Sequence, residues 1–391
     1  MGIVVGLDAS RNRSGGGVRH IVSLLNATDP RDHGVSAVHL WAYDGLHDQV
    51  RDTPWLVKHR PAALKRSIIR QLWWQRRQLP AEMRAHGVDI LCNTDAGTVC
   101  RAHPSVTISR DMLSYEPGEM RRYWPSRMWL RLLALRYVQA WSLKDADGAV
   151  FLTRYAADVI QQMTGPLGRV ALIPHGVGEA FRRNASLPRA TGGSSRCVYV
   201  SQADMYKHQW HVVRAIADLR QRGYDIQLRL IGGGAGRPQA LLEREIHRSD
   251  PSREFITQTG VVPPHDLARL LAESDLFIFA SSCENMPNTL VEGMASGLPI
   301  ACSNRGPMPE VLRDGGVYFD PEDASSIAAA IEPLLAQPAL RASLATRAAE
   351  LSSEYSWERC AGETWRFLRE TLLATRSTAS RQHSDDLVTS V

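Results

Sequence analysis

The sequence predicts an α/β protein built from two doubly wound domains, and three observations lead to this prediction. Short continuous apolar runs, such as the one at 276–280, recur with helical stretches between them, which is typical of parallel strands covered by helices on both faces. This alternation occurs twice, on either side of a Gly- and Ser-containing stretch at 183–195 that has linker composition. The 391 residues are enough for two domains.

Strands are predicted where the apolar runs lie. They are 2–8, 35–41, 88–92, 105–109, 148–152 and 169–174, then 196–201, 226–231, 275–280, 299–302 and 316–319. Helices are predicted between them, the first at 18–25 and the last at 356–373. The two domains are therefore expected at residues 1–180 and 195–355. The Ser- and Thr-rich stretch at 374–391 is expected to be a disordered tail.

The composition excludes several classes of protein. Apolar residues make up 44% and charged residues 22% of the chain, which argues against wholesale disorder. No apolar run approaches the roughly 18 residues of a membrane span, and the first residues read as a strand and not as a signal peptide. The six cysteines include no Cys-x2-Cys pair, which argues against a zinc site of that type and suits a reducing cytosol. We therefore expect a cytoplasmic protein.

Positive charge is concentrated in the first half of the chain. Residues 1–180 contain 23 Lys and Arg against 16 Asp and Glu, whereas the whole chain has a net charge of only +5. The stretches 64–77 and 120–141 interleave arginines with Trp, Leu and Ile, a pattern found in helices that lie on anionic membranes. Ordinary surface helices with an apolar stripe on the core remain the alternative. No nucleic-acid-binding signature accompanies the charge, so no nucleic-acid partner is expected.

One segment, 281–299, combines several features of a phosphate and sugar site. It follows the predicted strand 275–280, so Glu284 should lie at the carboxyl end of a parallel strand. A helix should begin at Pro287 or Asn288 and end at Gly297-Leu298-Pro299. Backbone N–H groups at such a helix start can bind phosphate; here they belong to Asn288, Thr289 and Leu290. Carboxylates such as Glu284 and Glu292 suit sugar hydroxyls.

Glu284-x7-Glu292 in this setting resembles the motif of the retaining, nucleotide-sugar-dependent glycosyltransferases of family 4, which have the GT-B fold. The residues around the pair strengthen the resemblance: Pro287-Asn288-Thr289, Gly293 and Gly297-Leu298-Pro299-Ile300. The resemblance implies that Glu284 holds the donor sugar and Glu292 the nucleotide ribose. The alternative is that the two glutamates have no role in binding: one would interact with the helix dipole and the other would be solvated.

The resemblance extends over nearly the whole chain. Gly16 and Gly17 match the family's glycine-rich loop near the diphosphate, and Lys207 matches its phosphate-binding lysine, although the arginine that often precedes that lysine is absent. Arg110 and Asp111 occupy the acceptor-side catalytic loop, where many members have histidine. The family therefore implies catalytic roles for Glu284, Lys207 and Asp111. It also implies an acceptor side at Arg110 and Asp111, and a last helix, 356–373, that packs on the first domain.

The implied function is transfer of a hexose, with mannose expected, from a nucleotide sugar to a hydroxyl of a growing polysaccharide or lipid-linked glycan. The donor would lie in a cleft that the two domains face, and GDP-mannose is the expected donor. The sequence resembles most closely bacterial mannosyl- and rhamnosyltransferases of surface polysaccharide and O-antigen assembly. A GT-B sugar-nucleotide epimerase and a non-catalytic subunit of a polysaccharide complex are the alternatives. Such an enzyme would be cytoplasmic, with a peripheral position on the inner face of the plasma membrane as a further expectation.

No metal is expected in the transfer. Asp145 and Asp147 form an Asp-x-Asp sequence, but they fall at a helix-to-strand turn just before the predicted strand 148–152. His208 and His211 are three residues apart on one helix and lack further ligands at suitable spacing. Lys207 and backbone dipoles would instead neutralise the diphosphate.

Overall fold

A computed structural model describes residues 2–13, 15–184 and 194–389. The chain forms two compact units, one comprising Met1–Gly176 with Trp357–Val391 and the other Val177–Ser356. The first unit is therefore built from two separate stretches of chain, whereas the second is continuous. Residues 185–193 of the predicted linker lie outside the described residues.

The first unit contains a parallel sheet in which, over the described residues, the strand order is β3-β2-β1-β4-β5-β6-β7. The strands are β1 Ile3–Asp8, β2 Val35–Trp41, β3 Leu56–His59, β4 Ile90–Asn93, β5 Ser105–Ile108, β6 Gly148–Phe151 and β7 Val170–Leu172. The central strands are buried along almost their whole length, as expected for apolar runs covered on both faces. The order reverses between β1 and β4, and ligands of such sheets bind outside the strand ends at this switch point.

Helices cover this sheet on both sides. They are α1 Gly16–Ala27, α2 Asp44–His47, α3 Ile68–Trp73, α4 Leu79–Ala85, α5 Arg127–Asp145 and α6 Arg154–Thr164, joined by the final helix α15 Trp357–Thr389. A Cβ placed on Gly148 would lie 3.1 Å from the Phe367 ring, so α15 packs directly against the start of β6. Trp365, Leu368 and Leu372 of α15 are fully buried in the described structure.

The prediction of a disordered tail at 374–391 is wrong for most of its length, because α15 continues to Thr389. The composition there is polar, but a helix already begun by a packed segment extends at one hydrogen bond for each residue fixed, without a second nucleation cost. Residues 390 and 391 lie outside the described residues.

The second unit contains another parallel sheet, whose described strands have the order β10-β9-β8-β11-β12-β13. The strands are β8 Ser195–Val200, β9 Ile226–Ile231, β10 Ile256–Thr259, β11 Leu276–Phe279, β12 Ile300–Ser303 and β13 Val317–Phe319. The helices are α7 Glu179–Asn184, α8 Gln209–Gln221, α9 Gly236–Ser249, α10 Pro264–Ala272, α11 Asn288–Ala295, α12 Met308–Leu312, α13 Ala324–Ala336 and α14 Pro338–Ser352. The switch point lies between β8 and β11.

Two strands were not predicted, β3 and β10. Both lie at the edge of their sheet and neither is buried along its whole length. Their sequences, Leu-Val-Lys-His and Ile-Thr-Gln-Thr, therefore lack the continuous apolar run that identified the other strands.

The basic stretch at 64–77 is not one amphipathic helix. It begins in a 3₁₀ turn at Ala62–Lys65, continues as α3 and passes through a π-helical turn at Trp74–Gln78. Leu64 and Trp74 are buried in the core, whereas Ile69 is 75% and Trp73 57% exposed. The second basic stretch, 120–141, lies on a 3₁₀ turn at Glu119–Tyr123 and on α5, with Trp124 and Leu130 each 61% exposed.

Candidate active site

The switch point of the second sheet brings Lys207 and Glu284 together. Lys207 follows β8 and Glu284 follows β11, and these strands pair directly, with Leu276 opposite Cys197. The Lys207 Nζ atom donates a hydrogen bond to Glu284 Oε1, and their side chains are only 13% and 15% exposed. The two residues that the sequence singled out separately thus form one largely buried ion pair.

Backbone and side-chain hydrogen bonds hold the two loops against each other. The Ser282 N–H donates to the Tyr206 carbonyl oxygen at 2.9 Å, and the Tyr199 hydroxyl donates to the Lys207 carbonyl oxygen at 2.6 Å. His208 is fully buried with its Nε2 atom 2.8 Å from Ser282 Oγ. Its φ of 51° is in the left-handed region, which is uncommon for residues other than glycine. This interlocked arrangement fixes the position of Lys207.

Two of the backbone N–H groups at the start of α11 already donate hydrogen bonds within the protein, which the sequence did not predict. Of the three N–H groups expected to bind phosphate, that of Asn288 donates to the Met286 carbonyl oxygen at 2.9 Å and that of Leu290 to the Pro287 carbonyl oxygen at 3.0 Å. A phosphate would have to replace these two bonds. Glu292 lies in the second turn of α11 and is 4% exposed.

In the first unit, Arg110 packs against the glycine-rich loop. A Cβ on Gly17 would lie 2.7 Å from both terminal nitrogens of the guanidinium, so any larger residue would require the guanidinium to move. Arg110 Nη2 donates to Asn12 Oδ1 at 3.0 Å and to Asp95 Oδ2 at 3.3 Å. Its Nε and Nη1 atoms are buried without a hydrogen-bond partner among the described residues. Buried donors of this kind are costly, and an anionic ligand would satisfy them.

Arg110 lies beside a cavity of about 470 Å³ at the carboxyl ends of β1, β4 and β5. Asp111 lines this cavity, accepts hydrogen bonds from the Gln139 side chain at 3.2 Å and the Leu113 N–H at 3.1 Å, and has a pKa raised by burial. Four arginines also line it: Arg11, Arg13, Arg66 and Arg131. A cavity with this lining suits a ligand that carries both hydroxyl and anionic groups.

The arginine lining was not predicted from the sequence. Its members come from the β1–α1 loop, from the segment before α3 and from α5, so no spacing along the chain relates them. Asn12 and Asp95, which orient Arg110, also come from separate loops that follow different strands. The only available signal was the excess of basic residues in the first half of the chain.

The two carboxylates of the Asp-x-Asp sequence have structural partners. Asp145 pairs with Arg101 Nη1 at 2.6 Å, and Asp147 accepts hydrogen bonds from His103 Nδ1 and the Ser105 N–H, each at 2.8 Å. These contacts occupy the Asp-x-Asp carboxylates in local ion pairs. Among the described residues, no helix is long and apolar enough to cross a membrane.

Two family models match the chain in sequence. "Glycosyltransferase Family 4" matches residues 14–181 and "Glycosyl transferases group 1" matches residues 189–351. The glycine-rich loop and Arg110 fall in the first match, and Lys207, Glu284 and Glu292 fall in the second. The matches therefore cover both candidate sites.

Curated relatives show lower similarity. A glycogen synthase of Mycobacterium tuberculosis is 26% identical over 231 residues, covering 58% of this chain and 55% of that protein. The O-antigen chain mannosyltransferase B of Escherichia coli is 34% identical over 110 residues, covering 28% and 29%. A GDP-mannose-dependent phosphatidylinositol monomannoside mannosyltransferase of Mycolicibacterium smegmatis is 27% identical over 212 residues, covering 50% and 54%. The matched region spans about half or less of each of these relatives.

Solved structures share the fold of nearly the whole chain. Sucrose-phosphate synthase from Thermosynechococcus elongatus has a TM-score of 0.74 at 18% identity, covering 95% of this chain and all of that one. Anabaena HepE, solved with UDP and glucose, has a TM-score of 0.68 at 16% identity, covering 96% and 100%. At such identities the likeness concerns the fold alone.

Proposed function

The chain belongs to the GT-B glycosyltransferases that join a family 4 domain to a group 1 domain, and on this basis we propose that it is a retaining hexosyltransferase. It moves a hexose from a nucleotide sugar to a hydroxyl of a growing polysaccharide or lipid-linked glycan. The observation on which the proposal chiefly rests is the Lys207–Glu284 ion pair at the switch point of the second sheet.

Each member of the pair has a distinct task when the donor binds. The Lys207 ammonium neutralises the diphosphate, whose negative charge grows as the bond to the sugar breaks. The Glu284 carboxylate, released from Lys207, accepts hydrogen bonds from sugar hydroxyls. Glu292 is the proposed partner of the nucleotide ribose. Without the donor, the two charges satisfy each other, which avoids leaving either one buried and unpaired.

The transfer itself requires mostly positioning. The acceptor hydroxyl attacks the sugar carbon on the face from which the diphosphate departs, and the departing phosphate oxygen takes the hydroxyl proton. The carbon–oxygen bond to phosphate breaks as the new glycosidic bond forms, so configuration is retained. Lys207 supplies positive charge at the leaving group, and the transfer therefore needs no divalent metal.

The acceptor is assigned to the cavity of the first unit. Asp111 lines the cavity and can accept a hydrogen bond from an acceptor hydroxyl. The orphaned Arg110 nitrogens and the arginine lining supply contacts for anionic groups. A lipid-linked acceptor would also bring the protein to an anionic membrane, for which Ile69 and Trp73 with the neighbouring arginines offer an exposed basic and apolar face.

Mannose is the proposed sugar and GDP-mannose the proposed donor. Two of the relatives described above are mannosyltransferases, one of them named for O-antigen chains and one for GDP-mannose. Other relatives and solved neighbours carry other names, including glycogen synthase, and HepE was solved with UDP. The nucleotide base is therefore the property to measure first.

The proposal is tested by thermal unfolding of the purified chain with GDP, UDP and ADP. A ligand at 100 times its dissociation constant stabilises the folded state by about 2.7 kcal/mol. We expect GDP to raise the melting temperature and the Lys207→Ala variant to lose this response. Stabilisation by UDP or ADP alone would exclude GDP-mannose, and no response to any of them would overturn the proposed donor site.

A second assay addresses the reaction. With GDP-mannose and a mannosylated oligosaccharide acceptor, we expect release of GDP and a lengthened product in excess chelator. Complete loss of transfer in chelator, restored by Mn²⁺ or Mg²⁺, would contradict a metal-independent transfer. Nucleotide binding with epimerised sugar and no product would favour the epimerase. Binding with neither reaction would favour the non-catalytic subunit.

A further inference from the structure

Three histidines that lie far apart in sequence converge beside the first sheet. His39 is in β2, His59 is the last residue of β3, and His86 directly follows α4. Their exposure increases in that order, from buried through half-buried to exposed. None of them belongs to the donor or acceptor residues described above.

The ligand atoms of the three rings face one another. His39 Nδ1 lies 2.8 Å from His59 Nε2, and one nitrogen from each of the three rings lies within 4.8 Å of the others. The ring centroids of His39 and His59, and of His39 and His86, are 5.1 Å apart, and those of His59 and His86 are 4.6 Å apart. Three imidazoles so placed can share one cation.

We propose that His39, His59 and His86 form a binding site for Zn²⁺. Zinc binds imidazole nitrogen at about 2.0–2.1 Å in tetrahedral geometry, which requires ligand nitrogens roughly 3.3 Å apart. The spacing between His39 and His59 is shorter than this value and the other spacings are at most 4.8 Å, so small rotations of the exposed His86 and half-buried His59 rings complete the site. The exposed side of the cluster leaves the fourth position to water.

The surroundings of the three histidines favour the neutral imidazole, the form that can bind a metal ion. The Trp41 ring stacks on His59 with centroids 4.6 Å apart and restricts its orientation. Burial lowers the pKa of His39, and burial together with the neighbouring histidines lowers the pKa of His59 to about 4. Neutral imidazole is the form that binds metal. His47 lies nearby, but its Nε2 atom is 2.9 Å from the His59 carbonyl oxygen and is therefore engaged with the backbone.

A zinc ion here would fix both ends of one segment. His59 ends β3 and His86 follows α4, so the ion would close the stretch 60–85 into a loop. That stretch contains Arg66 and Gln71, which line the acceptor cavity, and the exposed Ile69 and Trp73. The site would thus hold this wall of the cavity in place without touching a substrate.

The test is titration of Zn²⁺ into the metal-free, tag-free protein in competition with a chromophoric chelator. We expect one ion per chain, with His59→Ala and His86→Ala each lowering the affinity about a hundredfold or more. His86 is exposed, so its replacement should leave the fold intact. His265→Ala, at an exposed histidine of the second unit, is the matched control and should bind as the unchanged protein does.

Two further measurements are independent of catalysis. X-ray absorption of the zinc complex should show three imidazole nitrogens at about 2.0–2.1 Å. Zinc at a hundredfold excess over its dissociation constant should raise the melting temperature by roughly 5 °C, and His86→Ala should abolish this rise. Substoichiometric binding by the unchanged protein, or an affinity in both variants equal to that of the unchanged protein, would overturn the proposal.

Discussion

Glu284 is held by Lys207 in a largely buried position, and its charge should matter more than its hydrogen-bonding capacity. Glu284→Gln retains an acceptor oxygen but removes the negative charge opposite Lys207. We expect turnover to fall about a hundredfold, because one preorganised charged contact is worth roughly 3 kcal/mol at the transition state. The measurement is the rate of nucleoside diphosphate release at saturating donor.

The matched control is Glu273→Gln. Glu273 lies on the surface of the same unit and pairs with Arg269 at 2.7 Å. Since exposed pairs contribute little, its replacement should leave turnover unchanged. A Glu284→Gln enzyme that works at nearly the normal rate would remove Glu284 from the catalytic assignment.

Glu116 should make the stability of the first unit depend on pH. Burial raises the pKa of its carboxyl to about 7, although the Tyr155 hydroxyl donates to Oε1 at 2.5 Å. Between the unfolded pKa of 4.5 and pH 7 the folded state keeps a proton that the unfolded state has released. The free energy of unfolding therefore falls as pH rises through this window.

Glu116→Gln should remove this dependence. Because the carboxyl is only partly buried, we expect the variant to gain about 1–2 kcal/mol relative to the unchanged protein between pH 4.5 and pH 8. Urea unfolding at both pH values measures the difference, with the exposed Glu243→Gln as control. Identical pH slopes in all three proteins would show that Glu116 titrates normally.

Single site residues could be predicted from the sequence when they follow a predicted strand. Lys207 and Glu284 could be found because each follows a buried strand and resembles a family motif. Their mutual ion pair could not, since the sequence does not show that β8 and β11 are neighbours. The three clustered histidines are 20 and 27 positions apart, and no periodic pattern relates them.

Helix α11 is placed against β11 by a glycine. A Cβ on Gly293 would lie 2.9 Å from the Phe277 ring, in the centre of the second sheet. Alanine at this position would gain about 1 kcal/mol in helix propensity but would overpack against the buried Phe277 ring. We expect Gly293→Ala to be destabilising by about 1–2 kcal/mol net, measured by urea unfolding.

Gly45→Ala is the control for this prediction. Gly45 lies in the short helix α2, and a Cβ there would meet nothing within 4 Å. That variant should be neutral or slightly stabilising. Equal stability of the two variants would indicate that the Phe277 ring moves aside without cost.

The buried central strands were predictable from the sequence, whereas two of the edge strands, β3 and β10, were not. The central strands show the continuous apolar runs that burial on both faces demands, whereas β3 and β10 are half exposed and polar enough to resemble loops. The stretch 64–77 was identified as amphipathic, but its division into a 3₁₀ turn, α3 and a π-helical turn could not be predicted. Those breaks depend on how Leu64 and Trp74 enter the core.

At the scale of the whole molecule, the basic face at 66–77 predicts binding to anionic membranes. Ile69 and Trp73 are exposed beside Arg70, Arg76 and Arg77. Each basic side chain near an anionic surface contributes about 1 kcal/mol, and salt weakens this attraction. We expect the protein to co-sediment with vesicles containing anionic lipid at low salt, and much less at high salt or with neutral lipid.

Two triple variants with the same change in charge distinguish binding through this face from binding that depends only on net charge. Replacing Arg70, Arg76 and Arg77 by Glu should abolish sedimentation with anionic vesicles. Replacing Arg237, Arg244 and Arg253 by Glu, all exposed on the second unit, should leave it nearly unchanged. Equal loss in both would mean that only net charge matters, and binding by the first variant would exclude the 66–77 face.

The discontinuity of the first unit also sets the order in which the protein can fold during synthesis. Its sheet is complete once Leu172 has been made, but Trp365, Leu368 and Leu372 of α15, which pack into that unit, are made only after the 180 residues of Val177–Ser356. The second unit has all its strands and helices before α15 leaves the ribosome. It should therefore reach its native state first, reversing the usual N-terminal-first order. Until then, the apolar surface reserved for α15 stays accessible to chaperones.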